Sequence, residues 1–130
     1  MGRGDAPRAR SERADRQPVP LPGRRHQVIL HIATFRWRDD VTEEDVAELT
    51  TQLRDMAAGI PELRSYECGE SLRLRPGGAD FGVAAIVDDE AGLSAYLDSE
   101  AHAAVYERLL GRMIAERAAA QLPVGPGAAL

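Results

Sequence analysis

From Val28 to Trp37 the chain reads Val-Ile-Leu-His-Ile-Ala-Thr-Phe-Arg-Trp, a run rich in β-branched and aromatic residues that predicts a strand from about Gln27 to Arg38. Alternation places Ile29, His31, Ala33, Phe35 and Trp37 on one face, and Val28, Leu30, Ile32 and Thr34 on the other. Both faces are apolar over most of their length, which predicts a strand covered on both sides. His31 is the polar exception.

The period then changes. Thr42 suits a helix N-cap, with Asp45 three residues later approximating a capping box. Val46, Leu49, Leu53 and Met56 follow at helical spacing, while Glu43, Glu44, Glu48, Arg54 and Asp55 face water, and Gly59 and Pro61 end the helix near Ala58. A second strand is expected from Leu63 to about Ser71, with Tyr66 and Cys68 on one face and Leu63, Ser65 and Glu67 on the other. Arg75 to Asp80 has the glycine and proline of a loop, and Phe81–Val87 forms a third strand with two apolar faces. Asp88 or Asp89 caps a short helix holding Leu93, Tyr96 and Leu97. Ser99 caps the next, whose apolar stripe is His102, Val105, Tyr106, Leu109, Leu110 and Met113. Arg117–Val124 is expected to be a final strand.

The resulting order, β-α-β-β-α(α)-β, is that of a ferredoxin-like α+β fold: a four-stranded antiparallel sheet with helices on one face. Helices on one face leave Leu30, Ile32, Ala84 and Ile86 on an uncovered apolar surface. Two such sheets packed face to face would bury it, so a homodimer through these residues is expected.

Composition narrows the classes. One domain of residues 27–124 is expected, between a disordered Arg/Pro-rich tail at 1–26 and a C-terminal tail at 125–130. Residues 1–26 hold seven Arg against three acids, whereas the remainder holds nine Arg against eighteen. That acidic domain argues against nucleic-acid binding. The apolar runs are too short for a membrane span, and without a recognisable signal peptide a cytoplasmic location is expected. Cys68 stands alone, which rules out an internal disulfide and reads as a small apolar strand residue. The three histidines lack metal-ligand spacing, so neither metal nor organic cofactor is expected.

Several segments together carry a resemblance: Leu30-His31-Ile32-Ala33-Thr34-Phe35-Arg36-Trp37, the Asp-Asp-Val-Thr-Glu-Glu run at 39–44, Ile60-Pro61-Glu62-Leu63 with Gly69, and Tyr96-Leu97-Asp98-Ser99-Glu100-Ala101-His102. With this order of elements, the chain resembles the stress-responsive α/β-barrel (Dabb) family over residues 27–124. The resemblance implies a dimeric barrel made of two ferredoxin-like protomers. It leaves the role undefined, since the family holds plant stress proteins as well as a cofactor-independent cyclase that closes a linear polyketide by aldol chemistry. In that enzyme a histidine at the start of the last helix is the general base and a tyrosine six residues earlier assists it; His102 and Tyr96 stand at those places. His31 matches a pocket histidine of its first strand. Phe81 replaces a second pocket histidine, and Thr50 and Leu53 replace pocket aromatics, so the resemblance does not extend to the same substrate.

His102 lies on an apolar stripe in the first turn of its helix, where burial and the helix dipole favour the neutral imidazole that a general base requires. Tyr96 could orient it or polarise a carbonyl; equally, both could serve packing. A pocket between sheet and helices would be lined by His31, Ala33, Phe35, Leu53, Phe81, Val83 and Ala85, and would suit a small apolar or polyketide-like ligand. Three readings follow: a Dabb protein of undefined role with a small-molecule pocket, a cyclase- or aldolase-type enzyme using His102, and a structural or ligand-binding dimer without chemistry.

Overall fold

The computed structural model describes residues 27–125; the expected arginine-rich tail at 1–26 and residues 126–130 lie outside the described residues. The chain runs β1 (Ile29–Trp37), α1 (Glu43–Ala58), β2 (Leu63–Glu70), β3 (Phe81–Val87), α2 (Glu90–Leu97), α3 (Glu100–Val105), a π-helical turn (Tyr106–Leu110), α4 (Gly111–Met113) and β4 (Ile114–Pro123). The strands form one antiparallel sheet in the order β2-β3-β1-β4. This is the ferredoxin-like fold, with the helices on one face. No described helix is long and apolar enough to cross a membrane.

Helix α1 starts where its capping chemistry requires. Thr42 Oγ1 accepts from Asp45 N at 3.0 Å, and Asp45 Oδ2 accepts from Thr42 N at 3.1 Å, completing a capping box worth about 1 kcal/mol. Val46, Leu49, Leu53 and Met56 are its buried residues. They meet Phe35, Phe81, Val83 and Ala85 from the sheet, and Val105, Leu109 and Met113 from the last helical segment.

β1 pairs with β3 from Ile29–Val87 to Phe35–Phe81, and with β4 from Ile29–Pro123 to Phe35–Arg117. Partners in such a ladder share a face. The helix-facing side therefore carries His31 and Phe35, both buried, while Leu30, Ile32, Ala84 and Ile86 lie half-buried on the open side. Ala118, Ala120 and Leu122 of β4 join that open face, where Leu122 is 46% exposed. A shallow depression of about 340 Å³ lies there, bordered by Ile32, Thr34, Glu67, Gly69, Gly82 and Ala84.

Three expectations need correction. A bulge between Leu63 and Ser65 pairs Leu63 with Val87 and Ser65 with Ile86; the extra residue turns Leu63 to the helix side against the core, away from Ser65 and Glu67. Tyr106 leaves the expected apolar stripe and is 41% exposed. At that point the helix widens: Gly111 N donates to Tyr106 O, an i→i+5 bond, and the residues beyond are rotated relative to a 3.6-residue period. Finally, β4 begins at Ile114, three residues earlier than its alternation indicates.

Gly111 is what the π turn needs. A Cβ at that position would lie 2.9 Å from Tyr106 Cε1 and 3.0 Å from Tyr106 O. Alanine gains about 1 kcal/mol of helix propensity over glycine, but overpacking costs about 1–3 kcal/mol. Gly111→Ala is expected to lower stability in urea unfolding by about 1 kcal/mol net. The same substitution on a Tyr106→Ala background should cost less, because the ring contact is gone.

Candidate functional site

Four elements deliver the rings of a polar cluster on the helix-facing side: His31 from β1, Tyr66 from β2, Tyr96 from α2 and His102 from α3. Asp89 caps α2 by accepting from Gly92 N at 2.8 Å. Ser99 caps α3, its Oγ accepting from His102 N at 3.1 Å while donating to Tyr96 O at 2.9 Å. One serine thus fixes the tyrosine and the histidine relative to each other.

The rings meet edge to face. Tyr96 lies 6.1 Å from His31 at 77°, 5.4 Å from His102 at 86°, and 6.1 Å from Tyr66 at 82°, the arrangement favoured by aromatic quadrupoles. Tyr96 is the hub. It is also sealed, at 2% exposure, and His31 keeps 6%; His102 is half-buried. His31 Nδ1 lies 3.0 Å from Gln121 Nε2. With the amide nitrogen as donor, Nδ1 accepts and His31 carries its proton on Nε2.

Both histidines are held below their usual range. For His31 burial is the main cause, followed by His102 and Arg117; for His102 it is burial and then Arg117, opposed by Asp98. Burial raises both tyrosine hydroxyls, keeping them protonated donors. Tyr66 Oη is buried without a hydrogen-bond partner of good geometry, its polar neighbour being the Tyr96 hydroxyl. An unsatisfied buried hydroxyl costs about 1–3 kcal/mol.

The other candidate lining residues sit in the core. Phe35, Leu53, Phe81, Val83 and Ala85 are buried there, and Phe81 packs with Phe35 and Trp37 at 6.4 and 5.4 Å. Ala33 is half-buried. Burial likewise pushes the Cys68 thiol up, as suits an apolar strand position. Gln121, Arg117 and Tyr66 are neighbours of the cluster that sequence reasoning missed. Only the β1–β4 register, which pairs His31 with Gln121 and Phe35 with Arg117, could have pointed to the first two.

The model of the Stress responsive A/B Barrel Domain, Dabb, matches residues 29–123. The chain belongs to the Dabb family. An uncharacterized protein of Streptomyces coelicolor, SCO4036, is 32% identical over 79 residues, covering 59% of this chain and 81% of its own. A dimeric ferredoxin-like protein of unknown function from Thermobifida fusca superposes on the Dabb domain with a TM-score of 0.72 at 37% identity, covering 82% of this chain and 100% of that one. The hydroxynitrile lyase of Passiflora edulis shares the fold, with a TM-score of 0.67 at 10% identity over 80% of this chain and 99% of that one.

Lowered histidines make this Dabb domain acid-sensitive. The unfolded chain takes up protons as pH falls through 6.5, the ordinary histidine value, before the folded state does. Stability is therefore complete above that pH and declines below it. Urea midpoints are expected to fall between pH 7.5 and 5.5, with a shallower decline after His31→Gln and His102→Gln together.

Proposed function

We propose that this Dabb protein is a homodimer joined through its open sheet faces, and that each protomer offers a small-molecule site at the His31, Tyr96 and His102 cluster, where His102 accepts a proton from the bound compound. The observation that carries the reading is the meeting of two neutral-leaning histidines with the protonated tyrosines Tyr66 and Tyr96, in which His102 is half-buried while His31 and Tyr96 are sealed. A base that is neutral near pH 7, beside hydroxyl donors able to hold an oxygen, suits removal of a proton α to a carbonyl, with the enolate oxygen held by a hydroxyl. The substrate class is then a small β-dicarbonyl or polyketide-like compound. The lyase of Passiflora edulis illustrates that this scaffold can host chemistry; at its low identity it speaks for the fold alone.

The homodimer reading is supported by the dimeric relative from Thermobifida fusca and by the apolar open face of Leu30, Ile32, Ala84 and Ile86. A charge at its centre would be left without a partner in the interface. Ile86→Asp is expected to convert the dimer to monomer in sedimentation at micromolar concentration while leaving the helix-side fold intact. A dimer that survives the substitution overturns the face assignment.

For the site, acetoacetamide and acetoacetate serve as probes. Binding of at least one is expected to shift the His102 ring signals in NMR. The C2 protons should exchange with D2O faster in the presence of the protein, and His102→Ala should cut that acceleration by roughly a hundredfold. Acceleration unchanged in the variant rules out His102 as the base. The sealing of Tyr96 favours a second reading, a structural dimer without chemistry; failure of both probes to bind would leave that one standing.

A further inference from the structure

The helices do not cover β4. Arg117, Ala119 and Gln121 share the helix-facing side of the sheet with His31, Ala33 and Phe35, yet all three are exposed. Across the two strands the pairs run His31–Gln121, Ala33–Ala119 and Phe35–Arg117. The middle pair carries only methyl groups, so the strip is lowest between a polar end and a cationic end. Four steps of strand lead from Arg117 to Gln121, a span of about 13 Å at the usual rise. His102, half-buried in α3, meets the same Tyr96 ring as His31 and lies within electrostatic reach of Arg117.

Arg117 is unusual among its kind. Residues 27–125 contain nine arginines. Arg36, Arg64, Arg73 and Arg112 form ion pairs, and Arg38, Arg54 and Arg108 donate hydrogen bonds. Among the described residues, Arg75, in the loop after β2, and Arg117 do neither. A domain with twice as many acids as arginines repels anions in general, and it leaves this cation unpaired beside two histidines. Asp98, the acid that acts on His102, does so less strongly than Arg117.

We infer that the site selects a small carboxylate, its anionic end against the Arg117 guanidinium and its carbonyl end over Ala33 and Ala119 beside His102. The inference rests on the small-molecule site proposed above and adds the charge of what it takes. A guanidinium forms two parallel hydrogen bonds to a carboxylate and none of that kind to a primary amide. With the carboxylate so held, a 3-oxo acid places its C2 protons between the anchor and the carbonyl, toward the imidazole.

The test compares acetoacetate with acetoacetamide, which differ only in the anionic group, by NMR titration of the full chain. Acetoacetate is expected to bind at least tenfold tighter, and Arg117→Gln to abolish the difference while leaving acetoacetamide affinity and the sedimentation of the dimer unchanged. Arg117→Lys should restore part of the preference, since it returns charge without the fork. Equal affinities, or a preference that survives Arg117→Gln, overturn the anion assignment and leave the small-molecule site standing. So does a variant that dissociates the dimer without altering the preference, because Arg117 is then an interface residue. Binding of neither probe overturns the site and the inference together.

Discussion

Strand β1 presents apolar residues on both faces of the sheet, and the rest of the structure follows from that constraint. It lies inside the sheet, hydrogen-bonded to β3 on one side and β4 on the other. Every residue therefore commits to one of two surfaces. A slip of one position would send His31 and Phe35 to the open face and bring Leu30 and Ile32 beneath the helices. Phe35 and Phe81 hold the register from inside the core. At the same end Asp80 accepts from Trp37 N at 2.8 Å and pairs with Arg73 at 2.8 Å; the Trp37 bond first, and Arg73 after it, hold its carboxyl below the usual range. The candidate site and the proposed interface are opposite sides of one strand.

Placing a histidine under the helices carries an energetic cost, because a buried polar ring needs a partner. Gln121 supplies it from the edge strand. β4 thus does more than complete the sheet: its inward side anchors His31 and bounds the strip beside His102, while its outward side adds Ala118, Ala120 and Leu122 to the open face. The two short helices contribute through their caps. Because Ser99 bonds both the Tyr96 carbonyl and the His102 amide, a change at that serine would disturb both rings at once.

Much of this was legible in the sequence because it depends on local period. The faces of β1 and β3, the capping box of α1, the cap at Ser99 and a cap at Asp88 or Asp89, which the fold settles as Asp89, each need only a few neighbouring residues to be read. What was not legible depends on inserted residues or on register. The bulge at Leu63 and Ser65 shifts alternation by one, and no residue there announces it. The π turn moves Tyr106 off its stripe through a backbone bond whose sequence trace is a single glycine, Gly111. β4 reads weakly because Ala118, Ala119 and Ala120 do not alternate in polarity. Arg117 and Gln121 could be placed beside the histidines only once β4 was aligned on β1. Of the candidate site, Tyr96, His102 and His31 could be read from a family resemblance, and their edge-to-face meeting only from the fold.

The helix-facing layer is largely an apolar core; apart from the buried Trp37 Nε1, which lacks a partner beside Phe35 and Phe81, its departures from good packing practice gather at one place. Two histidines that resist protonation and a buried tyrosine hydroxyl without a good partner lie around one tyrosine. Apolar residues of similar size would remove the acid sensitivity and the desolvation cost together. A chain under pressure for stability alone would have little reason to keep such a group, whereas local violations of packing rules are expected where chemistry or binding has to occur. The same burial links the two properties: the environment that disfavours imidazolium at His102 also leaves it free to accept a proton near neutral pH. Stability lost in acid and basicity available at neutrality are consequences of one location, the half-buried first turn of α3 against Tyr96.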